Sequence, residues 1–191
     1  MSSSVNGIGG SGNVFLGSDV GSLSIEDALL LVQMDRVRLC ESQLQDQINS
    51  IRAKNDQMAK LNDLKTKLTE LKAAYKGDAK DTDPLKDNLD GGKKWDPDVK
   101  KTADDLAAGW KAQGLDPSYL DKFTKGTLTK GELAAAEQVI KSQTDSLSSS
   151  SQMDMVRLQS LNNKRSEAFD TMTNMLKKAS DSKSSVVSNF R

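Results

Sequence analysis

Histidine is absent from these 191 residues, and cysteine occurs once, at position 40. The first absence removes the commonest general base, the commonest neutral metal ligand and the usual near-neutral pH switch. The second excludes an internal disulfide and a thiolate zinc site. Aromatic residues make up only 4%, which argues against a thick compact core and for a thin one built from Leu, Met, Ile and Ala. No apolar run approaches the roughly eighteen residues a membrane-spanning helix needs; the longest, Ala28 to Val32, is far shorter. Charge of one sign is missing too. With 27 basic and 27 acidic residues, no global field steers the chain to nucleic acid or to an acidic membrane.

Proline is absent from two long stretches, and these contain the main pattern. From Thr129 to Arg191, apolar residues recur at the spacing of one helical face: Leu133, Ala136, Ile140, Leu147, Met155, Leu158, Leu161, Phe169, Met172, Met175, Leu176 and Ala179. Thr129 and Glu132 form a capping-box start. A helix of that length would reach roughly 90 Å, beyond the width of a small globular domain, and needs a partner. The first stretch supplies one. Ser24 is a fitting N-cap with Glu26 and Asp27 in the first turn. Its stripe runs Leu30, Met34, Val37, Cys40, Leu44, Ile48, Ile51, Met58, Leu61, Leu64, Leu68, Leu71 and Tyr75, with Gly77 as C-cap. Val37, Leu44, Ile51 and Met58 keep the seven-residue step of a coiled coil. The expected fold is all-α: a long antiparallel helical hairpin with a small helical head inserted between its rods. The expected divisions are residues 1–22, 23–77, 78–128 and 129–191.

Residues 1–22 hold six Gly and six Ser, too little apolar surface to repay ordering when free. They read as a flexible tail or as a secretion or docking signal, with Val14, Phe15 and Leu16 as anchors. They lack the basic start and apolar stretch of a cleavable signal peptide, so any export is expected to bypass the general secretory route. All three prolines and both tryptophans lie in the middle segment. There, residues 78–96 read as a solvated loop. Asp96-Pro97 starts a helix carrying Val99, Ala103, Leu106 and Trp110, and Asp116-Pro117 starts a turn carrying Tyr119, Leu120 and Phe123. Gly126-Thr127-Leu128 could add a short extended piece.

Enzyme chemistry is not expected, nor a cofactor. Asp121 to Glu132 has the outline of a calcium loop, but its third and fifth positions are Phe123 and Lys125, which cannot ligate calcium. The spacing of Asp78, Asp81, Asp83, Asp87 and Asp90 is irregular and reads as a solvated surface rather than a metal site. Cys40 sits on the apolar stripe without a histidine to activate it. Asp154 and Arg165 fall near core spacing, so they either sit at the rod's margin or specify register in a larger bundle. One heptapeptide occurs on both rods, Gln33–Leu39 and Gln152–Leu158, with six of seven positions identical. It is either coincidence or a sign that both helices meet similar surroundings.

The stretch Ser148-Ser149-Ser150-Ser151-Gln152-Met153-Asp154-Met155-Val156-Arg157-Leu158 through Arg165, the ending Ser185-Val186-Val187-Ser188-Asn189-Phe190-Arg191, and Leu128-Thr129-Lys130-Gly131-Glu132-Leu133 resemble the EspA/SseB-type filament proteins of type III secretion systems, nearest in character to the Bordetella needle-tip filament branch. The likeness covers the helices and meets the middle only in outline. It implies a secreted subunit that polymerises into an extracellular filament or needle-tip extension. The implied partners are further copies of itself, the needle subunit, the translocon pore proteins and a cytosolic export chaperone. With the heptad pattern it places self-assembly at Val37, Leu44, Ile51, Met58, Leu61 and Leu68 on the first rod, and at Leu147, Met155, Leu158, Leu161, Phe169, Met172, Met175, Leu176, Val186, Val187 and Phe190 on the second. It also implies an exposed, host-facing middle, with Asp78, Asp83, Asp87, Asp90 and Trp95 as candidates. A coiled-coil adaptor or chaperone that stays inside the cell is the alternative.

Overall fold

Two long helices carry the fold. The computed structural model describes residues 24–92 and 95–189, with α1 at Ile25–Ala73, α2 at Pro97–Ala112, α3 at Leu120–Lys125 and α4 at Lys130–Asn189. Helix α1 packs against α4, and the pairing is antiparallel: Arg36 meets Glu167, Lys54 meets Asp154 and Lys72 meets Glu137. The described residues are all-α, with isolated bridges at Tyr75–Leu89 and Pro84–Thr129 as the only extended pairing among them. Segment 1–22, and the side chains of Val186, Val187 and Phe190, lie outside the described residues.

The helix starts follow from local chemistry. The Ser24 hydroxyl accepts from the Asp27 amide at 3.1 Å, supplying one of the acceptors the first turn lacks. Thr129 Oγ1 accepts from the Glu132 amide (3.2 Å) while a Glu132 carboxylate oxygen accepts from the Thr129 amide (3.1 Å), the reciprocal capping box expected. Asp96 and Asp116 each accept from the amide two residues on, ahead of Pro97 and Pro117.

Two compact units partition the described chain. The first, residues 45–159, holds the continuous core. Leu61, Leu64, Leu68 and Leu71 of α1 and Leu133, Ala136 and Ile140 of α4 are buried together with Leu106 and Trp110 of α2 and Phe123 of α3. Trp110, Tyr119 and Phe123 form an aromatic cluster with centroids 5.3–6.0 Å apart, and the Trp110 indole donates to the Asp116 carbonyl at 2.8 Å. The expected solvated loop is a packed strap instead. Ala79, Leu85 and Leu89 are buried in the core, because backbone bonds tie the segment down: Leu85 to Leu128, Lys86 to Gly126, and the carbonyls of Asp81 and Asp83 to the amides of Gly131 and Lys130. The same strap stops α1 early. Lys76 donates to Asn88, and Asp90 to Ala74, pulling residues 74–76 out of helical geometry, so the helix ends at Ala73 and Gly77 is no cap.

The second unit comprises the described parts of residues 1–44 and 160–191. It is a helix pair alone: the start of α1 and the end of α4. Its buried residues are Val37, Cys40, Leu44 and Ala168, a far smaller core than the first unit's.

Candidate assembly surface

Within the 45–159 unit, the α1–α4 seam changes character along its length. From Leu61 to Tyr75 it is apolar and closed. Nearer Gln45 it turns polar. The Lys54 ammonium donates to Ser150 Oγ (2.6 Å) and to Asp154 Oδ2, and Ser50 Oγ donates to that same carboxylate oxygen at 3.4 Å. Asp154 keeps 13% of its side chain exposed and Lys54 23%. Asp154 therefore lies in the seam and not at the rod's margin, one of the two placements its spacing allowed. The Lys54 ammonium, with smaller help from Gln47 and Ser50, holds the Asp154 carboxyl below the usual carboxylate range. Gln47 is buried, yet its Nε2 finds no hydrogen-bond partner of good geometry; its pull on Asp154 is therefore a weak one. The polar seam fixes register, since sliding either helix by one turn would strand a charged group.

On the outside of this stretch the usual order inverts. Met153, Met155 and Val156 are exposed, Val156 to 66%. The repeated heptapeptide is thus used in two rotations. In α1, Val37 is buried against α4; in α4, the equivalent Val156 points to solvent and Asp154 and Leu158 turn inward.

In the helix-pair unit the inversion is stronger. Two polar atoms there, Gln33 Oε1 and Arg165 Nε, are buried without a partner, while Ile25, Leu29, Val32, Met34, Leu39, Phe169 and Leu176 are exposed, Ile25 to 81% and Val32 to 60%. At about 100° per residue, Leu29 lies roughly a quarter turn from the seam line of Leu30, Val37 and Leu44, and Ile25, Val32 and Leu39 lie farther round on the same side, about 140–160° from it. They share that side with the Arg36–Glu167 ion pair. Met34 lies about 40–60° round in the other direction, beside the seam. On the antiparallel partner helix, Phe169 and Leu176 turn to Met34's side. Where the two helices end, a cleft of about 670 Å³ opens between Leu29 and Leu30 of α1 and Met175, Leu176 and Ala179 of α4. Apolar surface thus lies outside this helix pair and unsatisfied polar groups inside it, the reverse of a closed pair.

Of the residues expected to form the assembly surface, Val37, Leu44, Leu61 and Leu68 are buried within the chain. Ile51, Met58, Leu147, Leu158, Leu161, Met172 and Met175 are half-buried at the seam, and Met155, Phe169 and Leu176 are exposed. A stripe that covers both intrachain and outward positions cannot separate the two; exposure does, and it adds Ile25, Val32, Leu39 and Val156. Their signal was in the sequence, since Ile25, Val32 and Leu39 stand seven apart. In the middle segment Asp78, Asp87 and Asp90 are exposed, but Asp83 is half-buried and its carboxylate accepts from the Lys80 amide at 2.8 Å. Trp95, expected on the exposed segment, is half-buried against the core, its ring over Gly126. The Tyr75 hydroxyl donates to the Leu128 carbonyl (2.7 Å), and burial, with the Glu132 and Asp83 charges, pushes its pKa up.

No cluster of three or more His, Cys, Asp or Glu side chains suited to a metal ion occurs among the described residues, and no described helix is long and apolar enough to cross a membrane. Glu132, the last position of the calcium-loop outline, instead receives the Lys122 ammonium and caps α4, and both contacts lower its pKa. No family model, curated protein or solved structure matches the chain.

Proposed function

We propose that this chain is a structural subunit that assembles with copies of itself, in the role of a secreted filament or needle-tip extension of a type III secretion system. The observation that carries the self-assembly part is the inverted helix pair: seven large apolar side chains face solvent along α1 and α4 while polar atoms sit unpartnered between them. Leaving that surface wet is unfavourable, at about 25 cal/mol per Å² of apolar area, and a second copy removes it from water without charge repulsion, because the chain is neutral overall. The secretion part rests on the sequence resemblance. In that setting the needle subunit and the translocon pore proteins are the neighbours at the two ends, and a cytosolic chaperone covers the apolar faces before export. A chain without disulfides, built largely from local helical contacts, suits refolding after passage through a narrow channel.

The test is negative-stain electron microscopy of untagged protein across a concentration series. Filaments of uniform width above a threshold concentration support the reading. Particles of one small size at every concentration overturn it and favour a coiled-coil adaptor inside the cell.

A further inference from the structure

The helix-pair unit carries two unlike apolar faces on opposite sides. One is a ridge on α1 alone, with Ile25, Val32 and Leu39 at a strict seven-residue step. The other is a trough between the helices, bounded by Met34 on α1 and by Phe169 and Leu176 on α4, and continuing into the cleft where the helices end. We infer that the ridge of one copy seats in the trough of the next, so that assembly is head-to-tail rather than two-fold symmetric. This rests on the self-assembly reading and says which surfaces meet.

Three features point to a second copy as the occupant. The first is length: Ile25 to Leu39 spans fourteen residues, as does Phe169 to Lys183 at the far lining of the cleft, so ridge and trough each run about 21 Å. The second is residue type. β-Branched and Leu side chains at heptad spacing form a stiff ridge, whereas Phe169, Leu176 and Met34 form an adaptable apolar floor. The third is the absence of self-complementarity within either face: a ridge against a ridge leaves the trough open, and a trough against a trough leaves a void. Unlike faces on opposite sides of one unit give a heterologous contact, which propagates instead of closing unless its rotation happens to form a ring. Each such contact joins three exposed large apolar side chains on one face to three on the other, small against the roughly 800 Å² per partner of a stable pairwise complex. Two copies therefore bind weakly, and persistence comes when each copy both gives and receives.

The experiment uses two full-length charge variants. Val32→Glu with Leu39→Glu disables the ridge and leaves the trough; Phe169→Glu with Leu176→Glu does the reverse. Each alone should raise the assembly threshold at least about tenfold, while an equimolar mixture should give a two-chain complex that grows no further. In parallel, on a Cys40→Ser background, a Val32→Cys chain and a Leu176→Cys chain are oxidised singly and together. Because these changes are small and exposed, they report contact even where the charge variants fold poorly. The mixed disulfide should dominate, with little cross-linking of either chain alone. Efficient cross-linking of the Val32→Cys chain to itself, while wild type still polymerises, overturns the ridge-in-trough contact and leaves self-assembly standing. A wild type that stays monomeric at every concentration overturns both.

Discussion

Gly126 combines two constraints at one residue. It ends α3 in the left-handed region, with φ at +64°, and a Cβ there would lie 2.7 Å from a ring carbon of Trp95. Gly126→Ala must pay the left-handed strain, about 1–3 kcal/mol, and also displace a half-buried indole. Gly77, with open space around it, has neither constraint. Urea denaturation should place Gly126→Ala at least about 2 kcal/mol below wild type and Gly77→Ala within about 0.5 kcal/mol of it. Asp154 gives the pH prediction. Its folded pKa is depressed by the Lys54 ammonium, so its contribution is fully present above the ordinary carboxylate range and is lost as pH falls through the depressed value. Glu132, lowered by Lys122 and the Thr129 amide, acts in the same sense. Between pH 5 and pH 2 wild type should lose stability steadily, and Asp154→Asn should lose less over that window while starting lower at pH 7. A variant with an unchanged acid slope removes Asp154 from the account. Spacing placed Asp154 near the core, but its partner stands a hundred residues away, and only the antiparallel register brings Lys54 to it.

At the scale of elements, what was legible in the sequence depended on the range of the interaction that decides it. Ser24, Thr129 with Glu132, Asp96-Pro97 and Asp116-Pro117 act within three residues of themselves, and each start stands where its chemistry put it. The end of α1 is set by pairing with residues 88–90, so the nearby glycine misled. The 78–92 strap was misread for the same reason: its aspartates dominate the composition, while Leu85 is held in the core by backbone bonds to the segment that leads into α4, and Leu89 by pairing with the residues that follow α1. Its role is measurable. Leu85→Ala should cost about 2–5 kcal/mol, as much as a residue of a long helix, although it sits in an acidic loop. A loss under 1 kcal/mol would mean that the strap lies on the surface. The assembly faces were half legible. Heptad spacing marks both the intrachain seam and the outer ridge, and which is which follows only from burial.

At the scale of the molecule, one chain joins a unit with a full core to a unit with almost none. Local opening is governed by buried apolar contact, so amides of α1 before Leu44 and of α4 after Ser160 should exchange far faster than those around Leu68 and Leu133 in dilute protein, and should slow on assembly. The driving force has its own temperature signature. The faces offered for assembly are apolar and the chain is neutral, so association should follow the hydrophobic effect, which weakens on cooling and strengthens with sulfate. Light scattering should show the assembly threshold rising as the sample is cooled from about 25 °C to about 5 °C. It should fall with sulfate and move little with sodium chloride, since few contacts depend on screened charge. A threshold that instead climbs steeply with sodium chloride and ignores temperature would identify ion pairs such as Arg36–Glu167, rearranged between copies, as the adhesive, and the exposed ridge as a bystander.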